Sequence, residues 1–336
     1  MMMDESLLAR LGTDRAKLRR TPMPRWTPPM LATLAKEVFS DPRWVYEIKL
    51  DGQRSLVFKR GDSIRLMTRN EKDRTSHYPD LKEALEVGTG ADLIADGEIV
   101  AFDGDRTSFS RLQDRMQNPH PSARQVAEVP VFLFLFDLLW FDGNDLTRLP
   151  LLARKRLLRR AVGFEDPIRS SDHIEKDGIE AFHAACERGL EGLVAKRIDA
   201  PYSPGRSRDW LKFKCVQEQE FVVVGWTDPQ GARSGIGALL VGYHEGPDLR
   251  FAGKVGTGFS ERVLHELRHR LAPLERADPP LSPSKGLPGK GVHWVRPELV
   301  AQVGFSEWTD DGKLRHPRYL GLRDDKRPDE VVRERG

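Results

Sequence analysis

The amino-acid sequence predicts a mixed α+β domain followed by a small all-β barrel, and three features carry that expectation. From Trp44 to about Lys214, short strand-like runs alternate with helical segments, as in sheets packed against helices. After Cys215 the composition shifts, and Phe221–Trp226, Ala238–Tyr243 and Leu249–Val255 read as strands joined by Gly-rich links. That second stretch has one clear helix, about Ser260 to Leu271, which suits a barrel of about five strands with a single helix.

Taken in order, the elements begin with a helix over Asp4 to Arg20, whose leucines recur at helical spacing, and a Pro-rich extended arm from Thr21 to Pro29. Trp44 to Lys49 alternates like a half-buried strand, so Tyr46 and Ile48 face one way and Glu47 and Lys49 the other. A carboxylate therefore stands beside the lysine on one face. Further strands are expected at Ser55–Phe58, Ile64–Thr68, Leu93–Phe102, Val131–Leu135 and Leu193–Lys196. Between the last two lies a helix whose leucines (Leu151, Leu152, Leu157, Leu158) face the core and whose basic run Arg154-Lys155-Arg156 with Arg159-Arg160 reads as a solvated face rather than a phosphate-contacting patch. The domain boundary falls near Val216 to Glu218, and Pro279 to Gly291 is a loop.

At 336 residues the chain can bury two cores. Its 39% hydrophobic and 31% charged content describes a globular protein. The longest apolar stretch, Val129 to Phe141, contains Asp137 and is too short to span a bilayer. Met1-Met2-Met3-Asp4-Glu5 lacks the basic start and apolar region of a secretory leader, so a cytoplasmic protein is expected. Two cysteines, Cys186 and Cys215, make neither a disulfide framework nor a four-cysteine zinc site, which fits a reducing compartment. The 54 basic and 51 acidic residues nearly cancel, so binding to an anionic polymer must rest on local clusters.

The chemistry concentrates in spaced motifs. Lys49-Leu50-Asp51-Gly52-Gln53-Arg54 puts a lysine, a carboxylate, a turn and an arginine together, a spacing suited to a covalent lysyl-nucleotide intermediate. An ordinary lysine, with a pKa near ~10.4, is mostly protonated at neutral pH, so a nucleophilic one needs neighbours or a metal that favour the neutral amine. Lys212 and Lys214, at period two on one strand face, could supply that positive field or hold a phosphate as its charge redistributes. Arg69 follows a strand in Thr68-Arg69-Asn70, Asp96-Gly97-Glu98 lies within a strand, and Phe136-Asp137-Leu138-Leu139 ends the most apolar one. Then come Glu191-Gly192-Leu193-Val194-Ala195-Lys196, Arg208-Asp209-Trp210-Leu211-Lys212-Phe213-Lys214 and Arg323-Asp324-Asp325-Lys326.

In this order, from about Pro22 to Val331, the elements resemble the six signature motifs of the ATP-dependent DNA ligases, within the superfamily that includes RNA ligases and mRNA capping enzymes. The resemblance implies a nucleotidyltransferase (adenylation) domain of antiparallel sheets flanked by helices over residues 29–216, after an extension over 1–28, and an OB-fold domain with the last motif over 217–336. It implies that Lys49 attacks the α-phosphate of ATP, that AMP then passes to a 5′-phosphate, and that the adjoining 3′-hydroxyl displaces it. By the same correspondence Glu47 reads the adenine amino group, Arg54 and Arg69 contact the ribose and its surroundings, and Phe136 stacks on the adenine. Arg208 and Lys214 reach the phosphates, beside Lys212 as the strand spacing already allows. Glu98 and Glu191 orient Mg²⁺ (or Mn²⁺) or the ribose, hard oxygen ligands suiting such an ion. Arg323 and Lys326 close over the nucleotide and orient pyrophosphate, which implies a domain motion.

Pro29-Met30-Leu31-Ala32, Gly253 to Gly258 and the final motif most resemble the ligase module of bacterial end-joining ligases. The substrate implied is nicked or broken double-stranded DNA, acted on by a monomer in a nucleoid-associated setting, with a Ku-type end-binding partner in end-joining repair. Thr68 stands where serine is commoner, a departure expected to be tolerated. Two features read as coincidence: His265-Glu266-Leu267-Arg268-His269 matches a zinc-protease pattern but puts a cation beside the metal and lacks a third ligand, and Gly253-Lys254-Val255-Gly256-Thr257-Gly258 lacks P-loop spacing. The competing readings are an RNA ligase or capping guanylyltransferase and, from another class, a nucleic-acid-binding protein without catalysis, which the intact Lys49, Glu98, Glu191 and Lys214 argue against.

Overall fold

The structure, a computed structural model, describes residues 11–215, 217–229, 235–282, 287–289, 291–309 and 311–334. The chain divides into two compact units that meet between Cys215 and Val216.

The first unit is built on two sheets. In the larger, the antiparallel strands Ser63–Thr68, Gln53–Arg60, Leu93–Asp103 and Val131–Phe141 lie side by side in that order, with Asn144–Asp145 and Arg19–Arg20 beyond and Ile168–Ser170 pairing parallel to Val131–Phe141. The smaller sheet runs Ile174–Glu175, Trp44–Ile48, Gly192–Arg197, Gly205–Lys214, Met30–Leu34. Alternation along the strands sorts the side chains into cores. Leu93, Ala95 and Ile99 enter the cluster that holds Leu81 and Leu85 of helix Pro79–Gly88, Leu112 of helix Phe109–Met116 and Leu157 of helix Leu151–Ala161. Ile94 points the other way and joins Phe58, Phe136, Met30, Tyr202 and Trp210. Because Met30 and Trp210 belong to the smaller sheet, this second cluster is where the two sheets face each other. The far side of the smaller sheet packs Tyr46, Leu193 and Phe213 against Ala181 and Ala185 of helix Gly178–Glu187.

Three expectations are corrected in this unit. Over the described part of 4–20 there is no long helix: Gly12–Lys17 is a 3-10 turn and Arg19–Arg20 a short strand. Residues 4–10 lie outside the described residues. In helix Leu151–Ala161 the basic run is only in part a solvated face: Arg156, Arg159 and Arg160 are exposed, but Arg154 and Lys155 are buried. Arg154 points inward because Asp137 is there to meet it in a fully buried two-bond pair, at 2.7 and 2.9 Å. Third, Cys186 and Cys215, expected to fit a reducing compartment, are joined in a disulfide, since helix Gly178–Glu187 packs beside the end of strand Gly205–Lys214.

The second unit is antiparallel. Gln217–Thr227 pairs with Leu239–Glu245, which pairs with Asp248–Val255. On its other edge Gln217–Thr227 pairs first with Val300–Phe305 and then with Val292–Val295. Val300–Phe305 pairs in turn with Arg318–Leu322. A bridge between Thr257 and Arg318 returns to the end of Asp248–Val255 and closes the circuit. Helix Glu261–Leu271 stands between the third and fourth barrel strands. The five strands of this closed circuit, with Val292–Val295 paired beside Val300–Phe305 and one helix, make an OB-fold, and its interior holds Phe221, Val223, Leu240, Ala252, Leu267 and Val303.

Candidate active site

Strand Trp44–Ile48 carries Tyr46 into the helix-covered core and leaves Glu47 on the opposite face. Lys49 continues the ladder, its N–H donating to Gly192 O at 2.9 Å. Its Nζ is ion-paired with Glu191 Oε1, next to the start of strand Gly192–Arg197. The carboxylate beside the lysine is therefore Glu191 and not Glu47, a correction with a simple cause: Glu47 is drawn away by two other lysines, described below. Gly52 lets the turn after Lys49 lie against the larger sheet, because a Cβ there would stand 2.3 Å from Ile99 O and 2.8 Å from Val100 Cγ1. Asp51 anchors the same turn: its Oδ2 accepts from Phe109 N at 3.1 Å, at the start of helix Phe109–Met116, and its N–H donates to Thr107 Oγ1 at 3.1 Å.

Lys212 and Lys214 lie on strand Gly205–Lys214 opposite Val194 and Gly192. They do not impose the expected positive field on Lys49. Burial of the Lys49 ammonium lowers its pKa, but Glu191, with Asp51 and Glu98, outweighs burial and pushes it up to about 12. Arg54 is held by Asp96 through two bonds of 2.6 Å, and Asp96, fully buried, also accepts from Tyr202 OH. That grip sets the Arg54 guanidinium 4.6 Å from the centre of the Phe136 ring. Phe136 itself is 7% exposed and meets Trp210 edge-on at 6.0 Å. Arg54 and Phe134 are the cross-strand neighbours of Glu98.

Glu47 is buried and saturated with donors. Lys155 Nζ reaches Oε1 at 2.7 Å, and Lys196 Nζ and Ser171 Oγ reach Oε2 at 2.9 and 3.0 Å. Burial opposes its ionisation, yet the two ammonium groups hold its pKa down to about 2. Lys196 also lies 4.1 Å from the centre of the Phe136 ring and 4.3 Å from that of Trp210. Contacts thus link Arg54, Phe136, Lys196 and Glu47, while Lys49 is paired with Glu191 and the charge of Glu98 acts on both Lys49 and Arg54.

The remaining expected residues lie at the margin or in the second unit. Arg69 is half-buried on the tight turn after strand Ser63–Thr68, whose Thr68 hydroxyl accepts from Lys72 N at 3.2 Å, a bond serine could equally make. Arg208 is exposed in the bulge between Ser207 and Leu211, a feature that re-aims side chains. In the second unit Arg323 is bound to Asp325 at 2.9 Å by two bonds, and Lys326 pairs with Glu220 at 2.9 Å. His265 and His269 ride helix Glu261–Leu271, where Arg268 packs 3.9 Å over Trp226 and bonds Glu275. Among the described residues no three His, Cys, Asp or Glu side chains form a metal group. Mg²⁺, which needs only one or two carboxylates, fits differently: Glu191 Oε2 is buried with no hydrogen-bond partner among the described residues.

Sequence reasoning missed Lys155, Ser171 and Lys196. Lys196 shares a strand face with Val194, the neighbour of Glu47, so period-two spacing could have flagged it. Lys155 lies 108 residues from Glu47, and no local pattern could.

Residues 29–214 match the profile described as ATP dependent DNA ligase domain, and residues 232–326 that of ATP dependent DNA ligase C terminal region. The chain is 39% identical over 338 residues to the multifunctional non-homologous end joining protein LigD of Pseudomonas aeruginosa, covering 97% of this chain and 38% of that one. It is 38% identical over 311 residues to the multifunctional non-homologous end joining DNA repair protein LigD of Mycobacterium tuberculosis, covering 91% and 40%. It therefore spans about two-fifths of the length of these relatives. Among solved structures it is similar to mycobacterial DNA ligase D complexed with ATP and MES, with a TM-score of 0.65 at 37% identity over 91% of this chain and 98% of that one.

Proposed function

The chain belongs to the ATP-dependent DNA ligase family, and from that membership we propose that it seals 5′-phosphate/3′-hydroxyl nicks or joined ends through a lysyl-AMP on Lys49. The single observation that carries this reading is the ion pair of Lys49 with Glu191, where Lys49 N–H bonds Gly192 O and Lys214 stands opposite Gly192 on the next strand. In the first step the neutral amine of Lys49, having released a proton, bonds to the α-phosphorus of ATP as the bond to the bridging oxygen breaks and pyrophosphate leaves. The 5′-phosphate oxygen at the nick then takes the AMP from Lys49. Finally the 3′-hydroxyl, giving up its proton, bonds to the phosphorus of the DNA 5′-phosphate as the bond from that phosphorus to the oxygen bridging it to AMP breaks, and AMP departs.

Residues 29–216 form the adenylation domain in this reading and 217–336 the OB-fold domain, with 1–28 as an extension. Phe136 stacks on the adenine, Glu47 accepts from its amino group, and Arg54 and Arg69 border the ribose. Lys212, Lys214 and Arg208 take the phosphates. Glu191, through its unpartnered oxygen, and Glu98 would hold Mg²⁺ or Mn²⁺, which would neutralise phosphate charge during the transfer. Arg323 and Lys326 act in the first step by orienting pyrophosphate, which requires Lys326 to leave Glu220.

The multifunctional relatives are named for non-homologous end joining, and we place this chain in that repair chemistry, as a monomer working in the cytoplasm on nucleoid DNA with a Ku-type end-binding partner. Among the described residues no helix is long and apolar enough to cross a membrane. The test is a duplex carrying one 5′-phosphorylated nick, incubated with ATP and Mg²⁺. A sealed strand supports the reading, whereas sealing of RNA nicks alone, or use of GTP in place of ATP, replaces it with an RNA ligase or a capping enzyme.

A further inference from the structure

Glu47 is a carboxylate with little left to give. An ionised carboxylate offers about four acceptor positions, and three are taken by Lys155, Lys196 and Ser171 at 2.7, 2.9 and 3.0 Å. Both lysines are themselves enclosed, with side chains 4% and 3% exposed. A buried carboxylate facing two buried ammonium groups is a cluster with net positive charge, costly unless each charge is paired. Lys155 is also held from behind by Ser171 O at 3.0 Å, so it cannot swing away while that segment keeps its place. Lys196 ties the cluster to the pocket wall, because its ammonium lies over the ring of Phe136 at a distance where a cation is attracted to an aromatic face.

We propose that Lys155 and Lys196 are positioning residues that clamp Glu47 as a pure hydrogen-bond acceptor and steady Phe136, so that the pocket takes a base presenting an amino donor and rejects one presenting an oxygen. The proposal rests on the reading in which Glu47 and Phe136 face the base. Its physical basis is the asymmetry between adenine and guanine at the six-position. Adenine presents an N–H donor, which the last open position on Glu47 can accept. Guanine presents a carbonyl oxygen, and two acceptors face to face leave both unpaired, which is the kind of mismatch that gives strong discrimination. A carboxylate free to rotate, or free to take up a proton, could turn a hydroxyl toward that oxygen. The clamp removes both options. Ser171 fixes the plane of the carboxylate, and the ammonium groups keep it ionised.

The test uses the full chain and follows the rate of Lys49 labelling against ATP and GTP concentration for wild type, Lys155→Met, Lys155→Arg and Ser171→Ala, with thermal unfolding recorded for each. Lys155→Met is expected to raise the half-saturating ATP concentration about tenfold and to narrow the ATP-over-GTP preference about tenfold, while the limiting rate changes by less than about threefold. Lys155→Arg should restore most of the preference, and Ser171→Ala should reduce it by about two- to threefold. If Lys155→Met does not fold, Ser171→Ala and Lys155→Arg decide the matter. A folded variant that loses rate equally with both nucleotides, or that keeps the wild-type preference, overturns the clamp. Failure of the wild type to label with ATP would instead overturn the functional reading beneath it.

Discussion

Glu191 holds the ammonium of Lys49 in an ion pair, so the lysine of the first motif rests in its charged, non-nucleophilic form. The pairing follows from the register of the smaller sheet: Lys49 N bonds Gly192 O, which brings the residue before Gly192 against the lysine side chain. The Lys49 pKa of about 12 makes the neutral amine a minor species until something draws Glu191 away. A metal taken up at the unpartnered Glu191 oxygen, together with the phosphates it accompanies, would do so.

The first prediction concerns pH. With the Lys49 pKa raised well above neutrality, the neutral fraction grows about tenfold per pH unit. Self-adenylation at saturating ATP and constant free Mg²⁺ should therefore rise steeply from pH 6 to 9. A rate independent of pH over that range would show that loss of the Lys49 proton does not limit the step.

Much of this was legible in the sequence, and the limits have physical causes. Period-two alternation placed Lys49 on a strand end and Lys212 with Lys214 on one face, because strand geometry ties spacing to direction. The barrel was legible for the same reason. Charge pairing was not: Arg154 and Lys155 look like a solvated run, and only Asp137 and Glu47, 17 and 108 residues away, explain why they point inward. The Lys49 neighbourhood failed similarly, since Glu191 is 142 residues distant.

A second prediction follows from the Asp137–Arg154 pair, both of whose side chains are fully buried. Arg154→Ala leaves Asp137 as a buried unpaired charge and should cost about 3–5 kcal/mol in urea unfolding. Replacing both by leucine should recover most of that loss. Equal destabilisation by the single and double variants would mean that packing, not charge pairing, governs the site.

Glu47 makes a third prediction, about acid. Its pKa is depressed in the folded chain to about 2 from an ordinary 4.5, so its ionisation favours the native state above about pH 4.5 and that contribution disappears as pH falls toward 2. Glu47→Gln should thus be less stable than wild type at pH 6, with the gap shrinking between pH 4.5 and 2. A gap unchanged across that window would remove the electrostatic account of the Lys155–Glu47–Lys196 cluster.

For DNA, contacts made mainly to phosphates release counterions on binding. Affinity for a nicked duplex should fall by at least about tenfold between 50 and 200 mM salt, and to the same degree for unrelated sequences around the nick. Strong sequence dependence in a binding titration would point to base reading instead.

The central claim is that Lys49 carries the nucleotide. Incubating the chain with α-labelled ATP and a divalent metal, then mapping the label by peptide mass spectrometry, tests it most directly. The account predicts AMP on the Lys49 side chain, released by added pyrophosphate and absent from Lys49→Ala. Labelling that persists in Lys49→Ala, or that maps to another lysine such as Lys212, would contradict it.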